Sequence, residues 1–138
     1  MKPVLLDTGV IVALLDRSEN AHQECAKSIL EFQAPIITCE AVIAESCYLL
    51  RHLAGASEAV IDNVAAGIFQ IPCQISMEAA GIKQILRKYR DRKIDLADAC
   101  LILLAGEFET ADVLTLDNDF AIYRWGKNRP FHILLDLN

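Results

Sequence analysis

Near its start the sequence reads Val4-Leu5-Leu6-Asp7-Thr8-Gly9, an apolar run of strand length that ends in a carboxylate. A second run of the same kind lies late in the chain and reads Val113-Leu114-Thr115-Leu116-Asp117. Functional residues of open parallel α/β sheets collect at the carboxyl ends of the strands. We therefore predict that Asp7 and Asp117 lie at the same edge of a parallel sheet.

Apolar runs of strand length alternate with longer segments of helical periodicity. Strands are predicted at residues 4–6, 36–38, 71–75, 113–116 and 131–135. Helical segments are predicted between them, at residues 9–15, 21–32, 40–53, 58–69, 77–89 and 96–104. This alternation is typical of a parallel sheet covered by helices on both faces. No linker or repeat interrupts the sequence, so residues 1–138 are predicted to form a single domain.

Several acidic and hydroxyl side chains precede predicted helices, where they can accept hydrogen bonds from free backbone N–H groups. Ser76 is predicted to cap the fifth helix and Asp95 the sixth. Asp98, at the third position of that sixth helix, resembles the acidic half of a capping box. Asp119 is predicted to cap a helix that begins at Phe120.

Composition favours a protein of the cytoplasm. The chain has five cysteines but no Cys-x-x-Cys pair, which argues against both a disulfide framework and a thiolate zinc site. We predict that these cysteines are small core residues in a reducing compartment. No segment reaches the roughly 20 apolar residues that a membrane span needs, so no membrane association is expected.

Two further acids complete a candidate site: Glu45 and Asp98, each in a predicted helix. Together with Asp7 and Asp117 they make four carboxylates from four separate elements. Such a group cannot stay fully ionised at close range without a compensating cation. Oxygen-only ligands suit Mg²⁺ or Mn²⁺. We therefore predict that all four acids contribute to a metal site.

The net charge of −6 would ordinarily argue against nucleic-acid binding, because phosphate contacts come from Lys and Arg. The basic residues are unevenly distributed, however: six of the 13 lie between Lys83 and Lys93, and a second group comprises Arg124, Lys127 and Arg129. These groups are either solvated surface or an RNA-binding rim, and the sequence leaves both interpretations open. Tyr123 and Trp125, beside Arg124, either stack on unpaired bases or pack in the core or at an interface.

Four motifs around these acids resemble the PIN-domain nucleases in order and spacing. They are Leu5-Leu6-Asp7-Thr8-Gly9-Val10-Ile11-Val12-Ala13-Leu14, Ala41-Val42-Ile43-Ala44-Glu45, Ile94-Asp95-Leu96-Ala97-Asp98-Ala99 and Thr115-Leu116-Asp117-Asn118-Asp119-Phe120. The resemblance covers nearly the whole chain. It implies a three-layer α/β/α sandwich with a central, mainly parallel sheet of about five strands. It also implies a metal-dependent endoribonuclease, a hydrolase of RNA phosphodiester bonds, of the kind often found as the toxin of a toxin–antitoxin pair.

The residues suggest a division of roles within this site. Asp7 and Asp98 are the expected direct ligands, and Asp117 is a direct or water-mediated ligand. Glu45 is either a ligand or the group that orients and deprotonates water. Thr8 and Thr115 are candidate donors to a carboxylate or to the scissile phosphate, or else ordinary threonines at strand ends. Whether Asp95 or Asp119 also contributes stays open at this stage.

Other functions and assemblies are also compatible with parts of the pattern. A phosphotransfer receiver domain combines an acidic Mg²⁺ site with a parallel sheet, but it needs a Lys at a late strand end, where this chain has Thr115. A non-catalytic RNA- or protein-binding module would keep the fold alone. A homodimer is expected because segments 41–53 and 57–69 carry more apolar residues than a small sheet needs to cover. The resemblance likewise implies a homodimer, and a protein antitoxin as the controlling partner.

Overall fold

The computed structural model describes residues 2–135. Its central sheet has five parallel strands in the order β3-β2-β1-β4-β7. These strands are β1 (Val4–Leu6), β2 (Ile36–Ile37), β3 (Phe69–Gln70), β4 (Asp112–Leu114) and β7 (His132–Ile133). A separate antiparallel hairpin consists of β5 (Arg124–Trp125) and β6 (Arg129–Pro130).

Six helices surround this sheet in the part of the chain that the structure describes. They are α1 (Thr8–Leu15), α2 (His22–Glu31), α3 (Glu40–Leu49), α4 (Ala56–Ala65), α5 (Ile75–Lys88) and α6 (Leu96–Phe108). Short 3-10 turns occur at Arg90–Arg92 and Asn118–Ala121. The architecture is the predicted three-layer α/β/α sandwich. Within residues 2–135, no helix combines the length and the apolar character that crossing a bilayer requires.

The register of the central strands determines where the functional edge lies. β1 lies between β2 and β4, and Leu6 pairs with Leu114, so both strands end at the same level. The Asp7 N–H donates to the Leu114 carbonyl at 3.0 Å and continues the ladder one residue further. Residues that follow β1 and β4 therefore lie side by side, as the two apolar runs predicted.

The core is built on the fully apolar strands and on α6. β1 is buried along its whole length. α6 is buried from Ala97 to Ile102 and again at Leu104 and Ala105, so this helix has hardly any solvent face near its centre. Cys25, Cys39, Cys73 and Cys100 are buried and Cys47 is half-buried, and all five are free thiols.

Three predictions on the β3 side differ from the structure. The predicted strand at 71–75 is wrong: β3 occupies Phe69–Gln70, and Ile75 already begins α5. The predicted helix 58–69 ends at Ala65, because Gly67 adopts a φ of 77° that turns the chain toward β3. Ser76 lies inside α5 rather than capping it, and Gln74 occupies the N-cap position.

The β5–β6 hairpin was not predicted. Its turn uses positive φ values at Gly126 and Asn128, residue types that tolerate this conformation. The Trp125 indole N–H donates to the Pro130 carbonyl at 3.0 Å, and the Trp125 ring is buried. Trp125 therefore packs in the core, which was one of its two interpretations.

Candidate active site

Asp7 is fixed at the junction between β1 and α1. It is the N-cap of α1, and its carboxylate accepts from the Thr8 backbone N–H at 2.8 Å. Its second oxygen accepts from the Thr115 hydroxyl at 2.7 Å. Only 7% of Asp7 is exposed. Both carboxylate oxygens are therefore held in place by neighbouring groups.

Asp98 reaches the same edge from the first turn of α6. Asp95 caps this helix by accepting from the Asp98 backbone N–H at 2.8 Å, as predicted. The cap leaves the Asp98 carboxylate free of its own helix end, and that carboxylate accepts from the Tyr123 hydroxyl at 3.3 Å. Asp98 is buried, whereas Asp95 is exposed.

Asp117 follows β4 and lies half-buried beside Asp7. Thr115 connects the two acids, since its hydroxyl donates to Asp7 and accepts from the Asp117 backbone N–H at 3.0 Å. Asp117 also caps the 3-10 turn Asn118–Ala121 by accepting from the Asp119 N–H at 2.9 Å. The prediction that Asp119 is the cap is therefore wrong, because the turn begins at Asn118, two residues earlier than expected. The Asp119 carboxylate instead lies 3.7 Å from the Arg92 guanidinium.

Three of the four predicted acids converge. One carboxylate oxygen from each of Asp7, Asp98 and Asp117 lies within 4.8 Å of the others. Glu45, on α3, is outside this group but lines the same cleft, as does Asp95. The cleft has a volume of about 300 Å³, and its apolar lining includes Leu49 and Leu116.

Burial and crowding make two of the carboxylates reluctant to ionise. Burial is the main cause that raises the pKa of Asp7 from 3.8 to about 6, while the hydrogen bonds from Thr115 and Thr8 act in the opposite direction. Burial also raises the pKa of Asp98 to about 8, and the charges of Asp7, Asp95 and Asp117 add to this effect. At neutral pH the cluster therefore needs either protons or a cation.

The donor set of this cleft fits a hard divalent cation. Its three converging acids offer only oxygen ligands, as Mg²⁺ and Mn²⁺ prefer. The Thr8 hydroxyl is buried, lines the cleft and has no hydrogen-bond partner among residues 2–135. A buried hydroxyl without a partner is costly, which suggests that it meets a ligand or water in the working site. Neither observation distinguishes Mg²⁺ from Mn²⁺.

Sequence reasoning overlooked the role of Tyr123. Its side chain is 1% exposed, its ring packs edge-on against Phe120 and Tyr89, and its hydroxyl contacts Asp98. Stacking on an unpaired base, one of the two interpretations, is incompatible with this burial. The only sequence signal was an aromatic residue shortly after the fourth acidic motif.

Comparisons with known proteins match most of this chain. The family model described as the PIN domain matches residues 4–126. Ribonuclease VapC26 of Mycobacterium tuberculosis is 29% identical over 116 residues, which cover 83% of this chain and 86% of that protein. The crystal structure of Mycobacterium tuberculosis VapC20, a toxin that cleaves the sarcin–ricin loop, has the same fold. It matches 92% of this chain and 99% of its own with a TM-score of 0.77 at 17% identity.

Proposed function

Because this chain belongs to the PIN domain family, we propose that it is a metal-dependent endoribonuclease and the toxin of a toxin–antitoxin pair. The observation that carries this proposal is the convergence of Asp7, Asp98 and Asp117 within 4.8 Å in one cleft. The similarity to Ribonuclease VapC26 supports RNA as the substrate. No observation favours the receiver-like alternative or a non-catalytic module.

The proposed metal ligands are Asp7, Asp98 and Asp117, and the ion is Mg²⁺ or Mn²⁺. When bound, such an ion offsets the carboxylate charge, polarises a phosphoryl oxygen and lowers the pKa of a water ligand. Offsetting that charge also makes an acidic cleft attractive to RNA. This resolves the apparent conflict between the net charge of −6 and a polyanionic substrate.

The side chains of the cleft have separate proposed tasks. Thr115 holds the Asp7 carboxylate and the Asp117 backbone in one arrangement. Glu45 is exposed on the cleft wall outside the three-acid cluster, so we assign it to take the proton from the attacking water rather than to bind the ion. The Thr8 hydroxyl, which has no partner within residues 2–135, donates to the scissile phosphate.

Cleavage of a mixed pool of structured and unstructured RNAs tests this function. The wild-type protein is expected to cleave in Mg²⁺ or Mn²⁺ and to stop in EDTA. Asp98→Asn should lower the rate at least 100-fold, since a catalytic metal contributes several kcal/mol and each 1.36 kcal/mol corresponds to a factor of ten. Asp62→Asn makes the same change on the exposed face of α4 and should leave the rate unchanged. Metal-dependent cleavage that survives Asp98→Asn would refute the assignment.

The antitoxin is proposed to inhibit by placing an Arg or Lys side chain into the cleft. The acidic cluster matches the cationic head group, and Leu49 and Leu116 offer apolar surface to the methylene stem. An inhibitor of this kind excludes the metal, so a cognate antitoxin should lower the affinity for Mn²⁺. An antitoxin that binds elsewhere and leaves this affinity unchanged would contradict the proposal.

A homodimer through α3 and α4 is also proposed. These helices pack against each other, and they leave Tyr48 62% exposed and Ile61 51% exposed. Analytical ultracentrifugation should show a dimer that Ile61→Lys converts to monomer. Leu30→Lys introduces the same charge on α2, at another exposed apolar residue, and should leave the dimer intact. Equal sedimentation of the two variants would place the interface elsewhere.

Two coarser proposals accompany these. The chain is proposed to fold as one domain, because a single apolar core cluster includes residues from Val4 to Leu135. It is proposed to act in the cytoplasm, where RNA is available and where its five free thiols stay reduced.

A further inference from the structure

A second cleft lies between α5, α6 and the β5–β6 hairpin, and we call it the α5–α6 groove. It also has a volume of about 300 Å³. Ile85, Ile102 and Leu103 give it apolar surface, and Lys88 and Arg124 add two cationic side chains. A volume of this size is at the lower end of the range for small-molecule sites and suits a nucleoside better than a helix.

Three glycines line the α5–α6 groove. A Cβ atom at Gly81 would lie 2.8 Å from Leu103 Cδ1, so α5 approaches α6 closely at this point. Gly106 and Gly126 also line the groove without side chains. A Cβ atom at Gly106 or Gly126 would meet no atom closer than 4.0 Å, so the groove has open space at these two positions.

Charge is unevenly distributed along the groove. Lys88 is exposed near the last turn of α5, and the Arg124 guanidinium donates to the carbonyls of Ala121, Ile122 and Tyr123 at 3.0–3.2 Å, which fixes its position. Near the start of α5, Glu78 faces Glu107 on α6, and burial together with this second carboxyl raises the pKa of Glu107. The end of the groove that carries Lys88 and Arg124 therefore attracts anions.

This cationic end is linked to the acid cluster through two tyrosines. Tyr89 lines the groove, and its hydroxyl accepts from the Arg124 backbone N–H at 2.7 Å. The Tyr89 ring lies edge-on to the Tyr123 ring at 5.0 Å, and the Tyr123 hydroxyl contacts Asp98. The groove is thus adjacent to the candidate active site and separated from it by two side chains.

Most of the chain's basic residues lie on the elements that form this groove or on the turn and loop that follow α5. Nine of the chain's 13 Lys and Arg residues lie on α5, on the 3-10 turn and the loop that follow it, and on the hairpin. Those exposed there in addition to Lys88 are Lys83, Arg87, Arg90, Arg92, Lys93, Lys127 and Arg129. A local cationic surface on an acidic protein is complementary to a phosphate backbone.

We propose that the α5–α6 groove binds the single-stranded RNA that flanks the bond cut in the acid cleft, with a nucleoside against Ile85 and Leu103 and phosphates on Lys88 and Arg124. This inference rests on the proposed ribonuclease function and specifies its substrate as an unpaired strand. Unpaired bases can leave the stack and enter an apolar groove, which paired bases cannot do.

Fluorescence anisotropy with a labelled, unstructured 12-nucleotide RNA tests the groove without cleavage when it is done in EDTA. Lys88→Gln should weaken binding about 3- to 10-fold and lower the slope of log affinity against log salt by about 0.7, the value for one phosphate contact on a single strand. Lys27→Gln makes the same charge change at an exposed position of α2 and should alter neither quantity.

A second readout locates the RNA directly. Photocrosslinking with 4-thiouridine should map to α5 peptides around Lys88 and Tyr89, and these crosslinks should weaken in Lys88→Gln. Crosslinks confined to other helices, or equal RNA affinity of the Lys88 and Lys27 variants, would overturn the proposal. A third outcome would also overturn it: binding of oligoglutamate that depends on Lys88, together with RNA binding that does not. That result would assign the groove to an acidic protein segment.

Cleavage assays separate this inference from the function on which it rests. In Mn²⁺, Lys88→Gln should slow the cleavage of a long unpaired RNA but not that of a dinucleotide, which spans only the acid cleft. A wild-type protein that cleaves no RNA would remove the proposed function, while anisotropy and crosslinking would still test the groove. A wild-type protein that cleaves RNA, with a Lys88 variant that behaves like the Lys27 variant, would remove the groove alone.

Discussion

Asp98 illustrates how a single residue here combines a structural and a chemical constraint. Its backbone completes the N-cap of α6 and its carboxylate faces two other acids. The one neutral hydrogen-bond donor that the structure shows on this carboxylate, among the described residues, is the Tyr123 hydroxyl. Burial, with the Asp98 charge as the next cause, raises the pKa of Tyr123, so this phenol stays protonated and keeps its ability to donate. Tyr123 therefore orients Asp98 rather than reacting itself.

Tyr123→Phe is predicted to weaken Mn²⁺ binding about tenfold. The change removes the hydroxyl that orients Asp98 and keeps the ring, and groups that orient a metal ligand contribute about 10- to 100-fold to metal affinity. The distance of 3.3 Å points to the lower end of that range. Mn²⁺ titration followed by electron paramagnetic resonance measures the effect without relying on cleavage.

Tyr89→Phe provides the matched control for this prediction. Tyr89 packs on the Tyr123 ring, but its hydroxyl contacts the Arg124 backbone and not an acid. This variant should change Mn²⁺ affinity less than twofold. If both variants lose the same affinity, the effect comes from loosened aromatic packing, and the orienting role of Tyr123 is wrong.

At the scale of elements, α6 is the helix that carries an acid into the cleft, and Asp95 determines where it begins. Asp95→Ala is predicted to lower the free energy of unfolding by about 1 kcal/mol, because the cap of the Asp98 N–H is lost. Asp95→Asn keeps a good N-cap residue, so the free energy of unfolding should fall by only about a few tenths of a kcal/mol. Urea denaturation of both variants measures the difference.

The same pair of variants decides whether Asp95 also binds metal. Asp95 is exposed, and its carboxylate already accepts a hydrogen bond from the Asp98 N–H. Asp95→Asn should therefore keep Mn²⁺ affinity within about threefold of wild type. The loss expected when a metal ligand is removed is much larger. Loss of Mn²⁺ binding in Asp95→Asn, with stability unchanged, would identify Asp95 as a ligand. Equal destabilisation by Ala and Asn would show that the cap is not the source of its effect.

The elements that could be predicted are those whose local pattern agrees with their tertiary environment. β1, α1 and β4 follow from apolar runs next to acids; β1 is fully buried, and α1 and β4 are partly buried. The hairpin could not be predicted, since its strands are two residues long and partly polar. It depends on a contact between Tyr89 and Arg124, which are 35 residues apart, and such a contact leaves no local pattern.

At the scale of the whole molecule, the sheet makes most of the site predictable. Parallel β1 and β4 end at the same level, so Asp7 and Asp117 had to lie close together once both were placed at strand ends. The position of Glu45 on the cleft wall depends on how α3 packs, and the role of Tyr123 depends on how a 3-10 turn folds back on α6. Neither follows from spacing along the sequence.

The acid cluster should also make the stability of the metal-free protein depend on pH. The pKa values of Asp7 and Asp98 in the folded protein, about 6 and about 8, lie above the ordinary value of 3.8. Between the ordinary pKa and these raised pKa values, the folded state therefore binds more protons than the unfolded state. The stabilisation that comes from protonated Asp7 and Asp98 is fully present below about pH 4. It is lost as the pH rises through about 6 and about 8.

Thermal unfolding in EDTA is thus predicted to occur at lower temperature at pH 8.5 than at pH 5. Mn²⁺ should restore more stability at pH 8.5, since it binds only the folded cluster.

Asp98→Asn removes the acid with the larger pKa shift. In EDTA this variant should therefore unfold about 3–5 °C above wild type at pH 8.5, which corresponds to about 1 kcal/mol. The difference should shrink toward pH 5, where wild-type Asp98 is protonated. The two proteins differ only at residue 98, so contributions from the rest of the chain cancel in this comparison. Parallel pH profiles of the two proteins would mean that Asp98 ionises freely without metal, and that the cluster does not need a cation.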